Sequence, residues 1–226
     1  MSPRSDLVAA AQALAIAVRT SDPGPAVVDL VKGRIAEALD LLGPSRHPGP
    51  FACEQLRPPG DGFHFDPADP GGSIPFAPLT GPQSPIAGDV QLRVENGAVV
   101  GELTFLPIHA GPMGLVHGGI LAAVFDEVMA MATLAHGIVG YTQQMTVDYL
   151  APARLGRPLS VSASVDQAAG ASAGVQAEIR DGTRLLASAT GRFHKLADLD
   201  EDFYALQRAR SGEAPSTNAV SGQVAP

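Results

Sequence analysis

The stretch from Val116 to Gly137, VHGGILAAVFDEVMAMATLAHG, constrains this chain more than any other part of it. A His-Gly-Gly turn leads into a helical run that is apolar on every side except at one adjacent acidic pair, Asp126 and Glu127. A helix without a wet face belongs inside a protein. A carboxylate in such surroundings loses hydration worth several kcal/mol unless something pairs with it. The pattern therefore points to chemistry at this pair, and it also cuts the one candidate for an uninterrupted membrane span of about 18 apolar residues.

Helical geometry sharpens the reading. At about 1.5 Å rise and 3.6 residues per turn, nine residues separate His117 from Asp126 by roughly 13 Å and half a rotation. Gly118 is hardly closer. If the amides of the turn and the Asp126 carboxylate serve one substrate, two copies of the helix must face each other, which predicts a dimer with a shared site.

Along the chain, Asp6 to Arg19 and Ala26 to Leu42 read as two helices broken at Ser21 to Pro25, a helical hairpin over residues 1–43. Residues 44–87 form a connector in which frequent Gly and Pro leave no regular element, with Phe51, Phe63, Phe65, Ile74 and Phe76 as apolar anchors. From residue 88 the texture is that of strands. Val90 to Glu95 and Ala98 to Leu106 flank Asn96-Gly97, a strong hairpin signal. After the helix come Tyr141 to Leu150, Leu159 to Ala168, Ala171 to Arg180 and Arg184 to His194, with turns at Ala169-Gly170 and Asp181-Gly182. One helix between an opening hairpin and an antiparallel meander predicts an α+β domain over 88–196, a sheet wrapped around a long central helix. In the tail, 197–226, Asp200 to Arg210 reads as a short helix and the remainder as frayed polar chain.

The segment GPMGLVHGGILAAVFD, Gly111 to Asp126, resembles the hotdog-fold acyl-CoA thioesterases of the PaaI-type, phenylacetyl-CoA branch, in which HGG is followed by an acidic residue on the central helix. The resemblance continues through YTQQMTVDYLAPARLGRPL, Tyr141 to Leu159, and runs from about Gly88 to Leu196. It implies the hotdog fold and hydrolysis of an acyl-CoA thioester by water, with no cofactor. Such a reaction needs an activated water or nucleophile and donors aimed at the oxyanion. Asp126 suits the first role, as general base or as nucleophile. The amides of Gly118 and Gly119, at a helix N-terminus, suit the second. The resemblance prefers Gly118 as donor and Asp126 of the facing subunit as catalyst, and leaves Glu127 to pair with a base or sit at the dimer seam. His117 falls to fixing the turn or orienting the thioester. Thr142 stands where relatives carry a hydroxyl, and Gly111 where many carry an Asn that holds thioester or water. Met113, Phe125, Met129 and Met145 are candidates for an acyl channel.

Composition narrows the partners. A net charge of -8 argues against a general nucleic-acid binder. Between Ala151 and Leu196, however, bases outnumber acids, and Arg154, Arg157 and Lys195 are candidates for the phosphates of coenzyme A. Cys53, the single cysteine, excludes an internal disulfide. His47, His64, His109, His136 and His194 share no ligand spacing, so no metal is assigned, and His136 reads as a helix cap. The leading residues lack a convincing signal peptide, which predicts a cytoplasmic protein. The reading is a thioester hydrolase acting as a homodimer or a dimer of dimers. The alternative is a non-catalytic acyl-CoA or lipid-binding protein on the same fold.

Overall fold

A computed structural model describes residues 3–45, 65–169 and 172–195. The chain divides into two units, one holding helix α1 (Pro3–Thr20) with residues 64–198, the other holding helix α2 (Pro25–Leu42). In α2, Pro25 stands at the first helical position, where its missing N–H costs nothing. Ion pairs Asp29 to Lys32 (4.0 Å) and Arg34 to Glu37 (2.8 Å) follow the helical spacing, and no residue of the helix is buried. The helix expected at Asp200 to Arg210, Cys53, Phe51 and Phe63 lie outside the described residues.

The body of the first unit is one antiparallel sheet in the order β1-β2-β4-β5-β6-β3. Its strands are β1 (Asp89–Glu95), β2 (Ala98–Thr104), β3 (Gly140–Tyr149), β4 (Pro158–Ala169), β5 (Ser172–Asp181) and β6 (Arg184–Lys195). The β1–β2 hairpin turns at Asn96 and Gly97, with φ of 51° and 79°, the left-handed pair that a two-residue turn needs. Period-2 alternation sends Leu159, Val161 and Ala163 of β4 and Val175, Ala177 and Ile179 of β5 inward, while Ser160, Gln176 and Glu178 face away. Helix α4 (Gly118–Ala135) lies in the concavity and packs on β2 to β6. Phe105, Phe125, Phe193, Leu103, Met129 and Met131 fill the space between them. This is the hotdog arrangement.

Two expectations need correction. The central helix is not enclosed on every side, because a single curved sheet covers only part of a cylinder. Leu121, Val124, Phe125, Val128, Met129, Met131, Ala132 and Thr133 are buried, whereas Gly119, Ala122, Ala123, Asp126 and Ala130 form a stripe that is only partly covered or exposed. The connector is also not without regular structure. Gly43–Ser45 forms a 3-10 turn and Pro70–Ser73 one helical turn, α3, which starts because Pro70 is preset for a helix and the Asp69 side chain accepts the Gly72 N–H at 2.9 Å.

The described connector residues, 65–88, lie on the body. Phe65 and Ile74 pack on the core, and Val94 of β1 donates its N–H to Pro67 at 2.7 Å, so the connector covers the β1 edge of the sheet. Helix α1 is tied to the same region, with Gln12 Nε2 donating to the Ala87 carbonyl (2.8 Å) and an Arg19 guanidinium N–H to the Ala110 carbonyl (2.9 Å). At the opposite edge, β3 pairs only with β6 among the described residues.

Candidate active site

The His-Gly-Gly turn is built by the loop from Pro107 to His117. Ala110 and Val116 form an antiparallel bridge, and Gly111 donates its N–H to Leu115 at 2.8 Å. That places Gly111 against His117, where a Cβ would stand 3.0 Å from the His117 Cα. Gly111 therefore permits close approach of two backbones beside the His-Gly-Gly turn. Next to it Met113 takes φ of 59° and is 95% exposed, so it does not line an internal channel in one chain. Phe125 and Met129 are wholly buried in the core, and Met145 is half-buried against it.

His117 caps α4. Its Nδ1 accepts the Gly119 N–H at 3.0 Å, and its own N–H donates to the His109 carbonyl at 3.0 Å. The imidazole thus fixes the turn and occupies one of the two amides considered for an oxyanion. The Gly118 N–H has no acceptor among the described residues. A free donor at a helix N-terminus is suited to negative charge. The Gly118 carbonyl accepts from the Tyr149 hydroxyl at 2.9 Å, and the Tyr149 ring lies 3.4 Å from where a Gly118 Cβ would be.

Asp126 stands halfway along α4 on the partly covered stripe. Its carboxylate accepts from the Thr142 hydroxyl, and no salt bridge engages it among the described residues. Thr142 reaches it because of a β-bulge. Register with β6 shifts between Thr142, opposite Phe193, and Gln144, opposite Arg192, so Gln143 is the extra residue. Without it, Thr142 and Met145, three positions apart, would face opposite sides of the sheet. With it, both point toward α4.

Glu127 has a different task. Its carboxylate accepts the Leu79 N–H (2.9 and 3.2 Å) and the Thr80 hydroxyl (2.5 Å). The expected pairing with a base is replaced, among the described residues, by this tie with the connector. Burial pushes the Glu127 carboxyl up from 4.5, the Thr80 and Leu79 donors draw it back, and the neighbouring Asp126 charge adds to the rise. His109 is the other buried ionisable group: Nδ1 accepts the Leu106 N–H at 3.0 Å, so the proton sits on Nε2, which donates to the Ile86 carbonyl at 2.8 Å. Burial pushes this imidazole below 6.5, partly offset by the bond to Ile86.

Of the bases, Arg154 is exposed and bridges Leu115, two residues before His117, through its backbone. Arg157 is engaged with Asp181 at 3.3 Å, and the Lys195 side chain lies outside the described residues. His136 closes the helix, its Nδ1 donating to the Ala132 carbonyl at 2.9 Å. The depressions between the connector and β1 and on the outer face of the sheet contain neither Asp126 nor Gly118. Sequence reasoning missed Tyr149, His109 and the bulge. The bulge did leave a signal, the polar doublet Gln143-Gln144 interrupting an alternating strand.

A family model described as "Thioesterase superfamily" matches residues 113–188, from the loop before α4 through that helix to β6. This segment is similar to that superfamily. Acyl-coenzyme A thioesterase 13 of Homo sapiens is 32% identical over 71 residues, covering 30% of this chain and 51% of that protein, and the Pongo abelii protein matches equally. The chain thus spans about half the length of the curated relatives it matches. Among solved structures, a crystal structure of a thioesterase superfamily protein superposes with a TM-score of 0.72 at 25% identity, over 86% of this chain and 91% of that one. Residues 88–195 make up less than half of the chain and cannot supply that coverage alone. The likeness to that structure therefore extends beyond residues 88–195.

Proposed function

We propose that the protein hydrolyses an acyl-coenzyme A thioester at a site shared by two copies of the chain, with Asp126 as the catalytic carboxylate and the Gly118 N–H of the partner as oxyanion donor. The observation that carries this reading is the state of those two groups: a half-buried carboxylate held by a neutral hydroxyl, and a helix N-terminal amide with no acceptor among the described residues. They lie eight residues apart on one unbroken helix, about 12 Å by rise alone. A carbonyl carbon and its oxygen span little more than 1 Å, so one chain cannot bring both groups to one thioester.

Two features support pairing of copies. The stripe Gly119, Ala122, Ala123, Asp126 and Ala130 is small enough for a second helix to approach closely, and β3 offers an edge that no described segment covers. The reaction balances simply. Water attacks the thioester carbon and passes a proton to Asp126, charge develops on the carbonyl oxygen against the Gly118 N–H, and the C–S bond then breaks, the thiolate recovering the proton. If the carboxylate attacks first, an anhydride forms and water cleaves it. Arg154, exposed, bridged to Leu115 and without an ion-pair partner among the described residues, is the side chain best placed for a phosphate of the coenzyme.

The test is thiol release from a panel of acyl-CoA esters, wild type beside Asp126→Asn. Hydrolysis abolished in the variant supports the reading. Release that persists unchanged removes Asp126 from catalysis, and no release from any ester by wild type favours the binding protein instead. Single turnover in 18O-labelled water separates direct attack, which puts one labelled oxygen in the acid, from an anhydride that water opens at the Asp126 carbon, which leaves the acid unlabelled and puts the label in the carboxylate.

A further inference from the structure

We infer that residues 75–88 are a brace joining the middle of α4 to the loop before its N-terminus, and that Glu127 and His109 are the positioning residues through which it holds Asp126 and Gly118 in fixed relation. The inference rests on the site proposed above, but its structural half is testable without it.

The brace is a closed loop. Gly88 donates its N–H to Leu79 (3.0 Å), Gln83 to Pro75 (2.7 Å) and the Ser84 hydroxyl to Pro78 (2.7 Å), so the loop behaves as one piece. At one side it grips the residue that follows Asp126, three contacts from Leu79 and Thr80 converging on the Glu127 carboxylate. Leu79 and Thr80 are buried, so these donors have no water to turn to if the carboxylate is removed. At the other side the Ile86 carbonyl accepts from His109, whose ring also receives the Leu106 N–H and packs edge-on against Phe105. The His109 carbonyl accepts the N–H of His117, the residue before Gly118. A continuous path of short polar contacts thus runs from the neighbour of Asp126, through the loop, to the neighbour of Gly118. Helix α1 holds the path from outside, through Gln12 on Ala87 and Arg19 on Ala110.

The core would need none of this. A turn of α4 packed by Val128 and Met129 is already anchored by apolar contact, and an apolar residue at 127 would cover the loop without a buried charge. The directional bonds are spent on fixing rotation of the Asp126 turn and on setting the loop that presents Gly118. In a paired assembly, these two groups of one chain belong to different sites, so the brace would also link one site to the other.

The test uses the full chain with Glu127→Ala, Glu127→Gln and Thr80→Val, read in two ways. In acyl-CoA hydrolysis, Glu127→Ala is expected to lower kcat about tenfold with KM within about twofold, and Glu127→Gln, whose amide can still accept from Leu79 and bond Thr80, to recover most of it. Amide hydrogen exchange is the second reading and does not depend on activity. Each weakening variant is expected to lose protection about tenfold both at 75–88 and at the amide of His117 and its neighbours. Thr80→Val, nearly isosteric, serves if Glu127→Ala does not fold. Protection lost at 75–88 alone, or Glu127→Ala with wild-type kcat, overturns the brace. A wild type that hydrolyses no ester, with variants that show the long-range loss, overturns the proposed activity and leaves the brace standing.

Discussion

The shared site makes a quantitative prediction through two variants that each kill a different half. Asp126→Asn removes the carboxylate. Gly118→Pro removes the free N–H at the position where α4 tolerates proline best, since Gly118 is the first helical residue and His117 before it is already extended, with φ of -65° and ψ of 133°. A Cβ at Gly118 would make only ordinary van der Waals contact, 3.4 Å from the Tyr149 ring. Loss of one oxyanion donor is worth about 2.7–4 kcal/mol, so Gly118→Pro alone should retain roughly 1% of the activity or less. In a mixed pair, the chain carrying Asp126→Asn contributes an intact Gly118 and the chain carrying Gly118→Pro an intact Asp126, and these two meet in one of the two sites. With random exchange about half of all pairs are mixed and each has one working site, so about a quarter of wild-type activity should return. Thiol release is followed after co-refolding the variants, with one chain tagged so that mixed pairs can be isolated and counted. Isolated mixed pairs with no more activity than the separate variants would refute the argument that the groups of one site come from two chains.

Thr142→Val keeps the strand and shape but removes the hydroxyl that holds Asp126. For a hydrogen bond to a charged group at a half-buried position, about 1.5–2 kcal/mol is at stake, so kcat should fall roughly 10- to 30-fold while Thr142→Ser stays within a few-fold. A rise in KM at constant kcat would assign Thr142 to the substrate instead. The pH dependence of stability carries two opposite signs. His109 is held below 6.5, so its contribution is complete above 6.5 and is lost as pH falls from there toward its folded value, and urea unfolding of His109→Gln should lack that acid-side decline. Glu127 is held above 4.5, so stability falls as pH rises from 4.5 through its folded value, and Glu127→Gln should flatten that limb. Gly101→Ala places a Cβ 1.9 Å from the Gln91 carbonyl oxygen, a backbone atom that cannot rotate away, and should cost about 1–3 kcal/mol in urea or more. Gly191→Ala meets only the flexible end of Met129 (2.8 Å) at its closest contact and should cost less.

The sheet and its helix were legible because each depends on periodicity. Alternation in Val161-Ala163-Val165 and Val175-Ala177-Ile179 requires one buried face, Asn96-Gly97 permits the hairpin, and an apolar helix between them has only the sheet's concavity to enter. What periodicity could not convey was how completely the helix is covered. That is set by the curvature of one sheet and by a connector whose prolines and glycines mask its contacts. The connector's role depends on single hydrogen bonds between residues far apart in sequence, Leu79 with Glu127 and Ile86 with His109, and no local spacing encodes those.

The same distinction separates the two acids. Adjacent positions on a helix point about 100° apart, so geometry alone requires that Asp126 and Glu127 meet different surroundings. The sequence could rank them by their distance from HGG but could not say what Glu127 meets, because its partners are backbone and hydroxyl donors in a loop 47 and 48 residues away. Once those donors are in place, the division of labour follows from saturation. Glu127 is occupied by three contacts from the loop, whereas Asp126 receives one hydroxyl on the partly covered stripe, and on the proposed reading the carboxylate with capacity to spare is the one that takes a proton from water. The glycine pair divides in the same way. His117 consumes the Gly119 amide and thereby leaves Gly118 as the donor still open to a substrate.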